Sequence, residues 1–403
     1  MMQTKRIKTE IYKAAEIIQA GGLVAVPTET VYGLAGNGLD PDAVRRIYDV
    51  KGRPEVKPLS LMVHDARAMD ALCERVPAQA RLLAEKFWPG PLTIVLDSRP
   101  LVPDIVRAGG KTIGLRCPDH PATLELLETA GVPLAAPSAN PSGEPSPKTA
   151  DRVLDYFDGR IEAVIDGGAC GIGSESTIIS LAQKPYRILR QGSLPERDIE
   201  DALISGMEVI GLTGGTGCGK TTALEVIKRA GGLCIDCDAV YHALTETSED
   251  MRRALTDRFG CVYEGNVLQR KRLGDIVFGD ERALLDLNAI THSFVDREVD
   301  RLLRAHAMSG GTLAAIDAIA LFESGINKRC TKVFGITAPR EMRISRIMAR
   351  EGISRAYAEK RVAAQKPDGF YRENCDAVLE NPGSRADFER QCVQAFGLTN
   401  ENE

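Results

Sequence analysis

The segment Gly214-Gly215-Thr216-Gly217-Cys218-Gly219-Lys220-Thr221 has the spacing G-x-x-x-x-G-K-[ST]. Its chemistry is phosphate binding. Glycines let consecutive backbone N–H groups turn onto a β-phosphate, and the helix that follows adds the partial positive charge of its N-terminus. Gly215, Thr216, Gly217, Cys218, Gly219, Lys220, Thr221 and Thr222 form the expected ATP cradle. Lys220 reaches the β- and γ-phosphates, and the Thr221 hydroxyl is the candidate Mg²⁺ ligand. Asp236-Cys237-Asp238 ends the next apolar strand. A carboxylate there can take the proton of an attacking hydroxyl, or it can cap the helix that follows. Asp317 ends a later apolar strand, where it can hold Mg²⁺ through water or cap the strand end.

A second group of residues lies ahead of this loop. Short polar strings recur at strand ends: Pro27-Thr28-Glu29-Thr30-Val31-Tyr32-Gly33-Leu34, Lys51-Gly52-Arg53-Pro54, Lys57-Pro58-Leu59-Ser60, Arg116-Cys117-Pro118, Pro137-Ser138-Ala139-Asn140-Pro141-Ser142-Gly143, Ser174-Glu175-Ser176-Thr177 and Arg190-Gln191-Gly192. Arg and Lys supply charge, Ser and Thr supply hydroxyls, and Pro and Gly fix the loops, which together suit an anionic ligand. There is no Ser-His-Asp pattern, metal-ligand cluster or phosphate loop in this half. Cys234 and Cys237 have C-x-x-C spacing without a second pair and read as packing and strand-end residues.

These residues need elements to position them. A phosphate loop joins a first strand to a first helix, so Met207-Glu208-Val209-Ile210 reads as the start of a second domain. The expected domains are 1–203 and 204–403, with Asp201–Gly206 as the linker. In the first, helices are expected over 12–20, 42–51, 65–87 and 120–130. Strands are expected at Leu59–Val63, Leu92–Leu96, Thr112–Leu115, Leu134–Ala136, Val164–Ile165 and Thr177–Leu181, with Leu23–Val26 buried. Pro137–Pro147 reads as an ordered loop or a flap. In the second, strand and helix alternate through Val209–Leu212, Leu233–Ile235, Leu313–Ile316 and Val333–Ile336, the rhythm of a parallel sheet covered on both faces. The fold class is α/β: a twisted mixed sheet, then a phosphate-loop domain with a parallel sheet and a helical lid.

Bulk properties narrow the functions. The 403 residues are 43% hydrophobic and 27% charged, with a net charge of -5. Residues 1–206 carry 24 Lys and Arg against 27 Asp and Glu, and the rest carry 27 against 29. Neither half is basic, which argues against stable sequence-independent nucleic-acid binding. No apolar run approaches the ~18 residues that span a bilayer. The N-terminus lacks a secretory apolar region, and ten scattered cysteines suit a reducing compartment. A cytoplasmic protein without membrane contact is expected.

The motifs carry two family resemblances. Ile-Gly-Leu-Thr-Gly-Gly-x-Gly-x-Gly-Lys, Ile235-Asp236-Cys237-Asp238, Leu287-Asn288-Ala289-Ile290-Thr291-His292, Leu321-Phe322-Glu323-Ser324-Gly325 and the stretch from Glu351 to Gln365 resemble dephospho-CoA kinase over 207–390. This implies that Asp238 is the general base for the ribose 3′-hydroxyl of dephospho-CoA. It also implies that Arg343, Arg346 and Arg350, within Arg340–Arg361, belong to a lid over ATP. The sequence departs from that family at Cys218 (usually Ser), in the Ala-Ile-Ala run after Asp317, at Ser293 (usually Pro) and after Gln365, while Asn381-Pro382 partly restores a closing turn.

The strings of the first half, with Phe87-Trp88-Pro89-Gly90-Pro91-Leu92-Thr93, resemble the threonylcarbamoyl-AMP synthase (YrdC-like) family over roughly 10–195. The implied substrates are threonine, bicarbonate and ATP, converted without a protein nucleophile. The resemblance implies that Lys51 and Arg53 face the triphosphate and the carbamate. It places Thr30, Ser138 and Ser176 on threonine, and Arg116, Asn140 and Arg190 on the nucleotide. Thr28, Tyr32, Lys57, Ser60 and Pro137 complete that site, and Trp88 reads as core. The implied partners are downstream proteins that transfer threonylcarbamoyl to tRNA, with at most a weak direct tRNA contact. The alternative is that one half is inactive and serves as an RNA-binding or regulatory module. Intact Lys51, Arg53, Lys220 and Asp238 argue against it.

Overall fold

The computed structural model describes residues 3–398. The chain forms two compact units that divide at Gly206/Met207. The stretch expected as a linker is instead the end of a helix, Glu196–Ser205, which buries Ile199, Ala202 and Leu203. Those apolar positions, spaced three and four apart, hold it against the helix Ala78–Phe87 of the first unit.

The first unit is built on a ten-stranded mixed sheet. Its spatial order is Lys5–Ile7, Ala163–Ile165, Val24–Val26, Gly33–Asn37, Leu134–Ala135, Ser60–Met62, Thr112–Arg116, Leu92–Asp97, Thr177–Ser180 and Arg187–Arg190. Strands near the first end are apolar on both faces: Val24, Ala25, Val26, Ala163, Val164 and Ile165 are all fully buried. The helix Ile11–Gln19 covers them with Ile11, Ala14, Ala15 and Ile18, and packs beside Pro121–Ala130. The helix Pro41–Lys51 has a sharp start and stop. The Asp40 side chain accepts from the Asp42 N–H, Pro41 occupies the first turn, and Gly52 ends it at φ 59°.

The helical pattern expected over 65–87 is broken into Ala68–Leu72 and Ala78–Phe87. Cys73 is extended and bridges Ser98, and Pro77 has an extended backbone before the second helix. The loop 137–147 is bonded in place. The Pro137 carbonyl accepts from Leu34 N–H (2.7 Å), Ala139 N–H donates to Tyr32 (2.7 Å), and Ser142 N–H donates to Lys51 (2.8 Å).

The second unit carries a five-stranded, all-parallel sheet in the order Leu233–Asp236, Leu313–Asp317, Glu208–Thr213, Lys332–Thr337, Ala377–Glu380. The last strand has no counterpart in the sequence expectations. The register pairs Asp236 with Asp317 and Leu212 with Asp317. Two carboxylates and the phosphate loop therefore share the carboxyl edge of the sheet, where ligands of such sheets bind. A largely helical region, Cys237–Met308, follows the second strand and ends in the 28-residue helix Glu281–Met308. It has its own apolar cluster around Met251, Leu255, Phe259 and Leu273. The helices Arg340–Glu351 and Arg355–Ala363 form the expected lid region and pack through Ile344, Ile347, Ala358 and Val362.

Candidate active sites

In the first unit a cavity of about 360 Å³ opens among the strand ends. Arg53, Ser60, Arg116, Pro137, Ser138, Ser176 and Arg190 line it, together with Thr93 and Glu175. Thr28, Thr30, Tyr32, Lys51, Lys57 and Asn140 do not line it. Several of these six build its wall. The Thr28 and Thr30 hydroxyls share a hydrogen bond (2.8 Å), and Thr30 Oγ1 accepts from Arg116 (2.8 Å). Tyr32 is fully buried and its hydroxyl donates to the Gly168 carbonyl (2.8 Å); burial pushes that phenol up to about 12.

Lys51 departs most from its expected posture. It ends its helix buried, and its ammonium donates to the carbonyls of Ser138 and Asn140. Burial, aided by Arg53, pushes it down to about 7. Its contact with the cavity is indirect, through the loop whose Pro137 and Ser138 line it. Lys57 is exposed, and its carbonyl accepts from Arg53 Nε. Trp88 donates from Nε1 to the Leu92 carbonyl (2.7 Å), away from the cavity lining.

Two of the cavity's three arginines are held by carboxylates. Arg116 pairs with Glu29 at 2.7 Å, both nearly buried, and Arg190 pairs with Glu175. Arg190 also donates to the Ser176 carbonyl and hydroxyl, and Ser176 Oγ shares a hydrogen bond with Thr93 (2.9 Å). Arg53 has only backbone acceptors, the carbonyls of Lys57 and Pro58. The arrangement places three arginines and several hydroxyls around one cavity, a set whose chemistry suits an anion. Glu29, Thr93 and Glu175 had no marking in sequence beyond membership of the quoted strings.

In the second unit a cavity of about 320 Å³ lies against the phosphate loop. Gly215, Thr216, Gly217, Gly219, Lys220 and Thr221 line it, facing Asp236, Asp238 and Asp317 and, from the lid helices, Arg346, Arg350 and Arg361. Cys218 is buried in the core instead, and Thr222 and Arg343 lie outside the lining. Arg361, the end of the segment expected as a lid but not one of its three named arginines, also lines the cavity. Gly214 has φ 146°, and a Cβ there would collide with the Ile336 carbonyl. Only glycine lets the loop cross the neighbouring strand so closely.

Asp236 is the helix cap: its Oδ1 accepts from the N–H groups of Asp238 (2.9 Å) and Ala239 (3.1 Å). Capping by Asp236 leaves Asp238, in the first turn, free for other work. Asp238 also lines a second cavity of about 160 Å³, with Tyr241, Thr291, His292, Ala320 and Ser324. It therefore stands where the two cavities share a wall. Burial lowers the basicity of His292, against the pull of Glu323.

Lys220 donates to the Gly214 carbonyl (3.0 Å) and stands 3.9 Å from Asp317. Asp317 Oδ1 is buried with no hydrogen-bond partner, and burial pushes the carboxyl up to about 6, with Lys220 opposing and Asp236 and Asp238 reinforcing. Among the described residues no cluster of three or more His, Cys, Asp or Glu can hold a metal ion by itself. A hydroxyl at Thr221 and a carboxylate oxygen at Asp317 that accepts no hydrogen bond fit Mg²⁺, which keeps water and phosphate oxygens as its other ligands. Cys234 and Cys237 are free thiols.

Fold and site define a domain with a cationic anion cavity on a mixed sheet, followed by a phosphate-loop domain with an acidic residue shared by two cavities. Residues 16–192 match the Sua5/YciO/YrdC family model, described as "Telomere recombination", and residues 208–387 match the dephospho-CoA kinase model. A threonylcarbamoyl-AMP synthase of Pyrococcus abyssi is 47% identical over 190 residues, covering 47% of this chain and 56% of that protein. A relative from Methanocaldococcus jannaschii is 37% identical over 193 residues, 48% of this chain and 90% of its own length. A dephospho-CoA kinase of Geobacter sulfurreducens is 33% identical over 192 residues, 47% of this chain and 98% of that protein. The chain thus spans little more than half of the Pyrococcus synthase. By these matches it belongs to the Sua5/YciO/YrdC family in its first half and to the dephospho-CoA kinase family in its second. No helix of the described residues is long and apolar enough to cross a membrane.

Proposed function

We propose that the protein is a bifunctional enzyme that makes threonylcarbamoyl-AMP with its first half and CoA with its second. The observation that supports the second activity best is the placement of Asp238 on both cavities of its unit. ATP would lie along the phosphate loop with Lys220 on its phosphates. The ribose of dephospho-CoA would enter from the second cavity. Its 3′-oxygen attacks the γ-phosphorus, Asp238 accepts the hydroxyl proton, and ADP leaves. Thr221 and Asp317 would hold Mg²⁺, which supplies charge neutralisation on the phosphates when bound. Arg346, Arg350 and Arg361 add positive charge from the lid, which excludes water as a competing acceptor.

In the first half, threonine and bicarbonate condense to a carbamate with loss of water. The carbamate oxygen attacks the α-phosphorus of ATP, and pyrophosphate leaves. The nucleophile belongs to the substrate, so the protein needs only to orient and to stabilise charge. The cavity lined by Arg53, Arg116, Arg190 and the Ser138 and Ser176 segments suits that work. Lys51 would act by shaping the 138–140 loop. The product is a nucleotidyl anhydride for proteins that modify tRNA, and the chain would work in the cytoplasm.

The test is mass spectrometry of nucleotide products from ATP and Mg²⁺ with each acceptor added alone. ADP with CoA should form only with dephospho-CoA. Threonylcarbamoyl-AMP, or AMP from its breakdown, should form only with threonine and bicarbonate. A half that uses neither acceptor loses its assignment.

A further inference from the structure

The phosphate loop is held from outside by residues more than a hundred positions later in the chain. Three successive loop carbonyls each accept from such a side chain: Thr216 from Arg343 Nε (3.2 Å), Gly217 from Arg346 Nη1 (3.2 Å) and Cys218 from Asn381 Nδ2 (2.8 Å). A trans peptide whose carbonyl is fixed outward carries the next residue's N–H on the opposite side, so these bonds orient the Gly217 and Gly219 N–H groups, while the Cys218 N–H donates within the loop to the Gly215 carbonyl (3.3 Å). Gln365 fixes Thr216 at two further atoms. Its Oε1 accepts the Thr216 N–H (2.9 Å), and its Nε2 donates to Thr216 Oγ1 (2.7 Å). The same Oε1 accepts from Arg343, so one carboxamide joins the loop to the first lid helix. Asn381 repeats the arrangement: it is buried, and its Oδ1 accepts from Arg346 (3.2 Å). Neither carboxamide lines the nucleotide cavity.

We propose that Gln365 and Asn381 are positioning residues for ATP, side chains that hold the phosphate loop in its nucleotide-binding conformation and tie that setting to the lid. Each is a bifunctional amide, with one donor and one acceptor used, and each links one loop residue to one lid arginine. A carboxylate or an amine could make only half of these contacts. The nucleotide role rests on the kinase reading above, whereas binding of an ATP analogue tests the clamp without it.

The experiment uses the full chain. Calorimetry measures binding of β,γ-imido-ATP with Mg²⁺, and steady-state kinetics with ATP and dephospho-CoA give both KM values and kcat. Gln365→Ala is expected to weaken analogue binding about tenfold, the loss of one or two hydrogen bonds in a partly buried network. KM for ATP should rise in step, while KM for dephospho-CoA stays within about twofold. In a Thr216→Val background the same substitution should cost less, because one of its partners is already gone. Unchanged analogue binding overturns the proposal. So does an equal rise in both KM values, which marks a merely structural role. If Gln365→Ala fails to fold, Asn381→Ala is read by the same criteria. Wild-type protein that does not phosphorylate dephospho-CoA, but whose analogue binding weakens on Gln365→Ala, removes the kinase reading and leaves the clamp standing.

Discussion

On the proposed functions, the two cavities would meet phosphate by opposite means. In the second unit one unbroken loop, Gly214 to Thr221, presents backbone N–H groups and a single lysine whose nearest carboxylate is 3.9 Å away. In the first, side chains from at least five separate segments converge, and two of the three lining arginines are already paired with Glu29 and Glu175. A backbone cradle depends on conformation and is insensitive to most side chains. A side-chain cradle depends on every contributing loop staying where it is. The first should therefore fail at a few chemical groups, and the second through loop placement as well.

Lys220→Ala should produce the largest effect. Loss of the charge on the transferring phosphate should lower CoA formation about 10³-fold or more, with adenylate formation unchanged. Loss of both activities in the same assay would end the two-site account. Asp238→Asn, which keeps shape and removes the base, should follow at about 10²-fold on kcat. Near-normal kcat there would move the proton acceptor elsewhere.

Lys51 and Arg53 sharpen the contrast when they are separated. Arg53→Ala should lower threonine-dependent pyrophosphate release by about tenfold or more at an unchanged melting temperature, because Arg53 holds only exposed backbone acceptors. Lys51→Ala should lower activity together with stability, by about 2 kcal/mol, since it strips a buried donor from two carbonyls of the 138–140 loop. Equal melting temperatures for the two variants would place Lys51 in the cavity after all.

The effect smallest on activity concerns the stability of the chain at Asp317. Its carboxyl is pushed up to about 6 in the folded chain from an ordinary 3.8, so its ionised form costs stability above that pH. Asp317→Asn, measured without nucleotide or Mg²⁺, should exceed wild type by about 3 kcal/mol at pH 8. The advantage should shrink as pH falls through 6 and vanish only below about 3.8, where the unfolded chain is protonated as well. A constant difference across that range would contradict the assignment of the shift to burial.

The same contrast explains how much was legible from sequence. The phosphate loop and the strands around it announce themselves because their residues are contiguous and their context is local. The helix expected over 42–51 was legible for the same reason and runs Pro41–Lys51, with Asp40, Pro41 and Gly52 fixing its ends in the structure. The break at Pro77 was hidden within an apolar periodicity that continues across it. The helix Glu196–Ser205 was missed because few apolar residues mark it before its last turn. In the first cavity the seven strings identified the neighbourhood, but not which side chains face inward. That choice is made by strand register and long-range bonds, such as Arg116 to Glu29, 87 positions apart. Lys51 shows the limit: a basic residue beside Arg53 looks like a ligand contact until the carbonyls of Ser138 and Asn140 are placed.

Cys218 has one more consequence. Its thiol is buried under the phosphate loop, and desolvation holds it above the ordinary range, so almost none of it is thiolate at neutral pH. Alkylating reagents and mild oxidants should pass it by and react first at Cys261, the exposed cysteine among the described residues. A fluorophore could therefore be attached at Cys261 to follow the protein while the nucleotide loop stays chemically untouched.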